Sequence, residues 1–119
     1  MNTLKIVSLD ECGYSMAAEE LINNIKKNKD IKIKIDIKRV SRDEKDNYKK
    51  NNNISSFPQI YINNKSIGGY DDLNEIYLEI IRIKSLNLEN KLDLMIKFLE
   101  DEVKGIERFE ALRLIEFFI

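Results

Sequence analysis

Two β-rich runs separated by one helical stretch govern what the N-terminal half of this chain can become. Leu4-Lys5-Ile6-Val7-Ser8-Leu9 reads as a first strand. In the second run, Ile31, Ile33, Ile35 and Ile37 alternate with Lys32, Lys34, Asp36 and Lys38. That period of two puts one strand face in a core and the other in water. Between them, from Gly13 to about Asn28, Met16, Ala17, Leu21, Ile22 and Ile25 recur at helical spacing. A connection of that length is a crossover, so the two strands are expected to lie parallel in a βαβ unit. Cys12 falls where the first strand hands over to the helix.

Further on, Ser41-Arg42-Asp43-Glu44 has the form of a capping box and opens a short polar helix through roughly Lys50, ended by Asn51-Asn52-Asn53. Gln59–Ile62 and Lys65–Ile67, joined by Asn63-Asn64, predict a β-hairpin. Gly68-Gly69 allows backbone conformations closed to other residues. Asp71-Asp72 then opens a helix with Leu73, Ile76, Tyr77, Ile80 and Ile81 on one side, acids being favoured at a helix N-terminus. Asn87 is read as the cap of a helix from Leu88 to Val103 with a stripe of Leu88, Leu92, Met95, Leu99 and Val103. Gly105 breaks it, and Ile106 to Ile119 predicts a last helix. Phe109, Leu112, Leu114, Ile115, Phe117, Phe118 and Ile119 are more than a single buried face needs. They pack on the domain's own sheet or meet a partner or a second copy. Glu107, Glu110 and Glu116 outnumber Arg108 and Arg113, which argues against a membrane-surface helix. The element order is that of a three-layer α/β domain with a mixed sheet over residues 1–86, followed by a helical extension over 87–119.

Charge and composition remove whole classes of function. Lys+Arg 20 against Asp+Glu 21, a net −1, lacks the basic excess that a nucleic-acid binder uses to displace counterions. No stretch reaches the roughly 18–20 consecutive apolar residues of a bilayer span. Met1 to Asp10 has one lysine, a short apolar run and no small-residue cleavage site, so it reads as structure and not as a signal peptide, and a cytoplasmic location is expected. With no histidine, imidazole bases, Ser–His and Cys–His pairs and the usual zinc sites drop out. With Cys12 the sole cysteine, the chain cannot form an intramolecular disulfide or a four-thiolate cluster of its own.

That thiol is the chemical lead. At a helix N-terminus it faces unpaired backbone N–H groups and the positive end of the macrodipole, both of which favour the thiolate nucleophile. The alternative is an inert buried cysteine. Asp10, Glu11, Gly13 and Ser15 beside it are polar or small and argue against that burial.

Three segments resemble the glutaredoxin family, in the same order: Cys12-Gly13-Tyr14-Ser15, Ser56-Phe57-Pro58-Gln59-Ile60-Tyr61-Ile62, and Ser66-Ile67-Gly68-Gly69-Tyr70-Asp71-Asp72-Leu73. The resemblance covers about Leu4 to Ile81 and is to the monothiol branch, with Ser15 at the fourth position of the tetrad. It implies a thioredoxin-like fold with a mixed four-stranded sheet, to which this chain adds C-terminal helices. It implies a glutathione-dependent thiol–disulfide oxidoreductase that reduces protein–glutathione mixed disulfides through Cys12, a second glutathione doing the resolving. By the same resemblance the Phe57–Pro58 bond is cis and faces the thiol, and Phe57 offers its backbone to glutathione. Gly69, Tyr70 and Asp71 hold the γ-glutamyl end, the ammonium meets Asp71 or Asp72, and Tyr14 flanks the sulfur. The implied partners are glutathione and glutathionylated proteins.

Two departures bear on this. Where the family commonly has a lysine three residues before the cysteine, this chain has Leu9, followed by Asp10 and Glu11, acids that oppose a thiolate. Lys45 and Lys49 on the following helix are the candidates to replace it. Gly13 resembles instead the Cys-Gly-Phe-Ser glutaredoxins, which carry glutathione-ligated [2Fe–2S] clusters between two subunits. A homodimeric cluster carrier with Cys12 as a ligand is therefore one alternative, although Tyr14 replaces that group's Phe and Ile54-Ser55-Ser56 stands near the place of its Trp-Pro pair. A catalytically weakened interaction module is the other.

Overall fold

In the computed structural model, which describes residues 2–119, β1 (Thr3–Leu9) lies inside a four-stranded sheet of order β2-β1-β3-β4. β2 (Lys34–Val40) runs parallel to it, with Leu4 opposite Ile35, Ile6 opposite Ile37 and Ser8 opposite Arg39. β3 (Gln59–Ile62) and β4 (Lys65–Gly68) complete the sheet as an antiparallel hairpin, β3 antiparallel to β1. This is the mixed α/β arrangement of a thioredoxin-like fold. β2 begins three residues later than the Ile/Lys alternation predicts. Pairing lasts only as long as the neighbouring strand: Lys34 is opposite Thr3, where β1 starts, and Val40 is opposite Leu9, where it ends. Ile33 is buried from outside the strand.

α1 (Gly13–Lys26) is the crossover between β1 and β2. Its buried residues are Ser15, Ala18, Ile22 and Ile25. Met16, expected inside, is 63% exposed, because the helix is rotated to put Ser15 inward. A 3₁₀ turn (Arg42–Glu44), capped by Ser41, leads into α2 (Lys45–Asn52). α3 (Tyr70–Ser85) buries Leu73, Ile76, Ile80 and Ile83, leaving Tyr77 and Ile81 half-buried. α4 (Lys91–Glu102) begins three residues after its predicted start. Leu88 and Leu92 stay exposed, and Met95, Ile96, Leu99 and, just past the helix, Val103 carry the packing.

α5 (Arg108–Phe118) lies against α1, α3 and α4, and Ala111, Leu114, Ile115, Phe117 and Phe118 enter the main core with Leu4, Ile6, Ile60 and Ile62 of the sheet. Intramolecular packing thus accounts for most of the apolar excess in the last helix, against helices more than against the sheet. Glu110 is 1% exposed and serves as a latch. Its carboxylate accepts from the Glu107 N–H at 2.9 Å, from Asn63 Nδ2 at 2.6 Å and from Lys65 Nζ at 3.0 Å, tying α5 to the β3–β4 hairpin. Among the described residues no helix is long and apolar enough to cross a membrane.

On the opposite face of the sheet a smaller cluster of Val7, Leu9, Val40 and Phe57 is flanked by Tyr48, Ile54, Tyr61 and Cys12. The strand alternation assigns Leu4, Ile6 and Ser8 to one face and Val7 and Leu9 to the other. Leu9 is therefore built into an apolar cluster, where a lysine could not be accommodated without a partner.

Candidate functional site

β1 stops at Leu9, and the Asp10 N–H still donates to the Val40 carbonyl at 2.9 Å, so the turn toward α1 starts from a fixed point. Glu11 then adopts φ 55°, left-handed backbone that costs a side-chain-bearing residue about 1 kcal/mol or more. The reversal points the following Cys12 along the α1 axis as its N-cap, with the Met16 N–H donating to the Cys12 carbonyl at 2.9 Å.

Cys12 is half-buried and free. Burial pushes its thiol up. The Ser15 N–H, the Ser15 hydroxyl, the Tyr14 N–H and the positive charge of Arg42 push it down, and together they prevail, so the thiol ionises below the ordinary cysteine value. Ser15 is 1% exposed, its Oγ accepts from the Leu9 N–H at 3.0 Å, and its hydroxyl is one of the groups beside the sulfur that lower the thiol pKa. The side chain where a dithiol protein would carry its second cysteine here holds the end of β1 and the start of α1 around the first.

Arg42 was not among the residues singled out from the sequence. Its Nε donates to the Asp10 carbonyl at 2.8 Å and its Nη2 to the Glu11 carbonyl at 2.6 Å, and its charge reaches the thiol. The charge that acts on the thiol is that of Arg42 and not of Lys45 or Lys49, the candidates for the missing lysine, and Asp10 and Glu11 offer Arg42 their backbone carbonyls. Arg42 was hidden because its signal, the Ser41–Glu44 cap, reads as a helix start; the Glu44 N–H donates to the Ser41 Oγ at 3.3 Å, which bears out Ser41 as that cap. The partners of Arg42 lie more than thirty residues away.

Of the other sequence-named residues, Phe57 adjoins Cys12, and Pro58 in turn adjoins Gly69. Phe57 shares the small apolar cluster with Cys12 and meets Tyr48 at 6.0 Å between ring centroids. The Phe57–Pro58 peptide is cis. A Cβ built on Gly69 would come within 3.6 Å of the Pro58 carbonyl, which puts the N-terminus of α3 alongside the proline segment. The Asp72 carboxylate accepts from the Gly69 N–H at 2.9 Å and closes over Gly68, whose φ of 120° requires glycine. Asp71 is exposed, while Tyr70 is partly buried against the main core. Tyr14 gives the sulfur its backbone N–H and is itself 63% exposed. A Cβ on Gly13 would meet nothing within 4 Å, so that side of the turn is open. Among the described residues no group of three or more His, Cys, Asp or Glu is placed to hold a metal ion.

A stabilised thiolate at a helix N-terminus, next to a proline segment and a second helix N-terminus, is equipped for thiol–disulfide exchange. The glutaredoxin family model matches residues 4–67. The chain belongs to the glutaredoxin family. Over 74 residues, 61% of its length, it is 36% identical to Glutaredoxin 1 of Rickettsia prowazekii (strain Madrid E), covering 75% of that protein. The crystal structure of Glutaredoxin 1 from Francisella tularensis complexed with cacodylate shares the fold at a TM-score of 0.54 and 21% identity, over 69% of this chain and 99% of that one. Glutaredoxins are thiol–disulfide oxidoreductases that generally work with glutathione. In this glutaredoxin the family match stops at Ile67, so α3, α4 and α5 lie outside it.

Proposed function

We propose that this glutaredoxin reduces protein–glutathione mixed disulfides by a monothiol route through Cys12. The observation that carries the reading is the place of Cys12 at the N-cap of α1, where neighbouring N–H groups, the Ser15 hydroxyl and the nearby Arg42 charge lower its pKa. The Cys12 thiolate attacks the glutathionyl sulfur, the substrate disulfide breaks, and the protein thiolate leaves and takes up a proton. Cys12 now carries glutathione. No second cysteine exists in the chain, so the thiolate of another glutathione attacks the bound glutathione sulfur. Glutathione disulfide departs and Cys12 leaves as the thiolate.

The bound glutathione would run along the Phe57 backbone and Pro58 toward Gly69, Tyr70 and Asp71. Its α-carboxylate suits the N-terminal amides of α3. Asp72 already accepts from the Gly69 N–H, which supports Asp71 as the partner of the ammonium. Tyr14 flanks the sulfur, and Arg42 takes over the electrostatic part for which Leu9 is unsuited. The Arg42 charge beside the thiol supports this reading over a weakened interaction module. Turnover of a glutathione mixed disulfide tests the reading: activity is expected from the native chain, and activity equal to that of Cys12→Ser would overturn it.

The open space beside Gly13 favours a second reading, a glutathione-ligated [2Fe–2S] carrier. One chain supplies one thiolate, so this needs a homodimer in which each Cys12 and one glutathione per chain act as ligands. A bound cluster would supply iron–sulfur cargo or electron transfer, and Gly13 would leave its approach unobstructed. Anaerobic reconstitution with iron, sulfide and glutathione is expected to yield a coloured dimer on this reading; a colourless monomer removes it.

A further inference from the structure

On the far side of β1 from the proline segment lies an open groove of about 380 Å³ that the glutathione reading does not use. Its floor is Ser8. That residue is 1% exposed, and its Oγ has no hydrogen-bond partner among the described residues. Ser8 stands opposite Arg39 in the parallel register, both on the face that α1 covers, and both line the groove. Arg39 is paired with Glu19 at 2.6 Å; among the described residues the carboxylates of Asp10, Glu11 and Glu20 around the opening have no ion-pair partner, Arg42 bonding only the backbone carbonyls of the first two. Met16, 63% exposed, forms part of the wall.

A buried hydroxyl without a partner forfeits a hydrogen bond, and a donor entering the groove would restore it. Three free carboxylates choose the sign of that donor. They are not gathered tightly enough to hold a metal ion, so a long cationic side chain fits better than a bare cation. The groove also begins one residue before the reactive cysteine, since Glu11 lines it. In the sheet order, glutathione on the β3 side of β1 leaves the β2 side for whatever the glutathione is attached to.

We propose that this groove is a substrate subsite that receives a lysine or arginine flanking the glutathionylated cysteine of the protein substrate. It rests on the deglutathionylation reading and names the class of substrate that reading leaves open: cysteines in basic sequence surroundings. Ser8 would accept from the ammonium or guanidinium, and Asp10, Glu11 and Glu20 would carry the charge complementarity.

The test uses two short peptides that each hold a central cysteine in mixed disulfide with glutathione, flanked either by arginines or by glutamates. Binding is measured to the Cys12→Ser protein, which cannot consume them and keeps a good N-cap residue. The arginine peptide is expected to bind about tenfold more tightly at low salt, with the gap closing as salt rises. Glu20→Lys in the same background is expected to bring the two affinities to within about twofold of each other. Equal affinities before that substitution, or a ratio it leaves unchanged, would overturn the subsite. Turnover of hydroxyethyl–glutathione disulfide by the native chain, a substrate with no peptide, reports on Cys12 chemistry alone. Its absence would sink the proposed function and leave the peptide ratio to judge the groove.

Discussion

The Arg42 guanidinium donates from Nη2 to the carbonyl oxygen of Glu11 at 2.6 Å, the residue whose backbone is turned into the left-handed region directly before Cys12. With the 2.8 Å bond from Nε to the Asp10 carbonyl, one side chain from the β2–α2 junction clamps both residues of the active loop. Charge-assisted bonds of this kind are about twice as strong as neutral ones, and the clamp offsets the cost of the strained Glu11 conformation. The same guanidinium adds positive charge near the thiol, so conformation and reactivity of the loop share one residue.

Arg42→Ala should therefore move the pH profile of Cys12 alkylation to higher pH and lower disulfide turnover near neutrality several-fold. The sign follows from the direction of the shift: the folded thiol ionises below its ordinary value of about 8.5. The stabilisation it contributes is full above that ordinary value and is lost as pH falls through the folded one. Arg42→Lys retains charge but not the two-carbonyl fork, so it should recover more of the pH profile than of the loop order. Iodoacetamide reaction rates against pH decide it, and an unshifted profile in Arg42→Ala would show the charge to be idle.

Ser15→Ala should damage stability and reactivity together. It leaves the buried Leu9 N–H without its acceptor, a loss of about 1–3 kcal/mol, and removes a donor from the sulfur, raising the thiol pKa. Ser15→Thr keeps the hydroxyl and should retain more of both. Urea unfolding and the alkylation profile, measured on the same samples, check whether the two effects travel together.

Glu110 gives the C-terminal helices a pH-dependent hold on the hairpin. Burial raises its carboxyl pKa, but the Glu107 N–H, Asn63 and Lys65 lower it further, so the net direction is down. Its contribution is full above the ordinary glutamate value of about 4.3 and is lost as pH falls through the depressed folded value. Glu110→Ala should cost about 3 kcal/mol at pH 7 and flatten the acid limb of the stability curve. Glu110→Gln, which can still reach the Glu107 N–H, should cost less. Denaturant midpoints from pH 7 down to the acid transition provide the comparison.

Much of the fold was legible along the chain because it is a matter of local periodicity. The isoleucine alternation announces β2, the Asn63-Asn64 pair announces the hairpin, and the acids at 71 and 72 announce α3. Errors fall where a neighbour sets the limit. β2 starts at Lys34 because β1 supplies nothing earlier to pair with, and α1 turns Met16 outward because Ser15 is fastened inward to Leu9. Leu88 and Leu92 have the spacing of a buried stripe, yet they remain exposed.

Within the candidate site the division is similar. The place of Cys12 at a strand-to-helix junction, the lone proline and the glycine pair ahead of α3 follow from residue order alone, since they depend on turn chemistry within a few positions. The sequence by itself also settles that only one thiol is present, and hence that any disulfide it forms is with another molecule. Tertiary structure alone decided the long-range contacts, Arg42 beside the thiol among them. Arg42 reaches residues more than thirty positions earlier, Asn63 and Glu110 meet across 47, and the Ser8 Oγ is buried without a hydrogen-bond partner among the described residues. Each depends on distances between segments that the order of amino acids does not contain until the chain has packed.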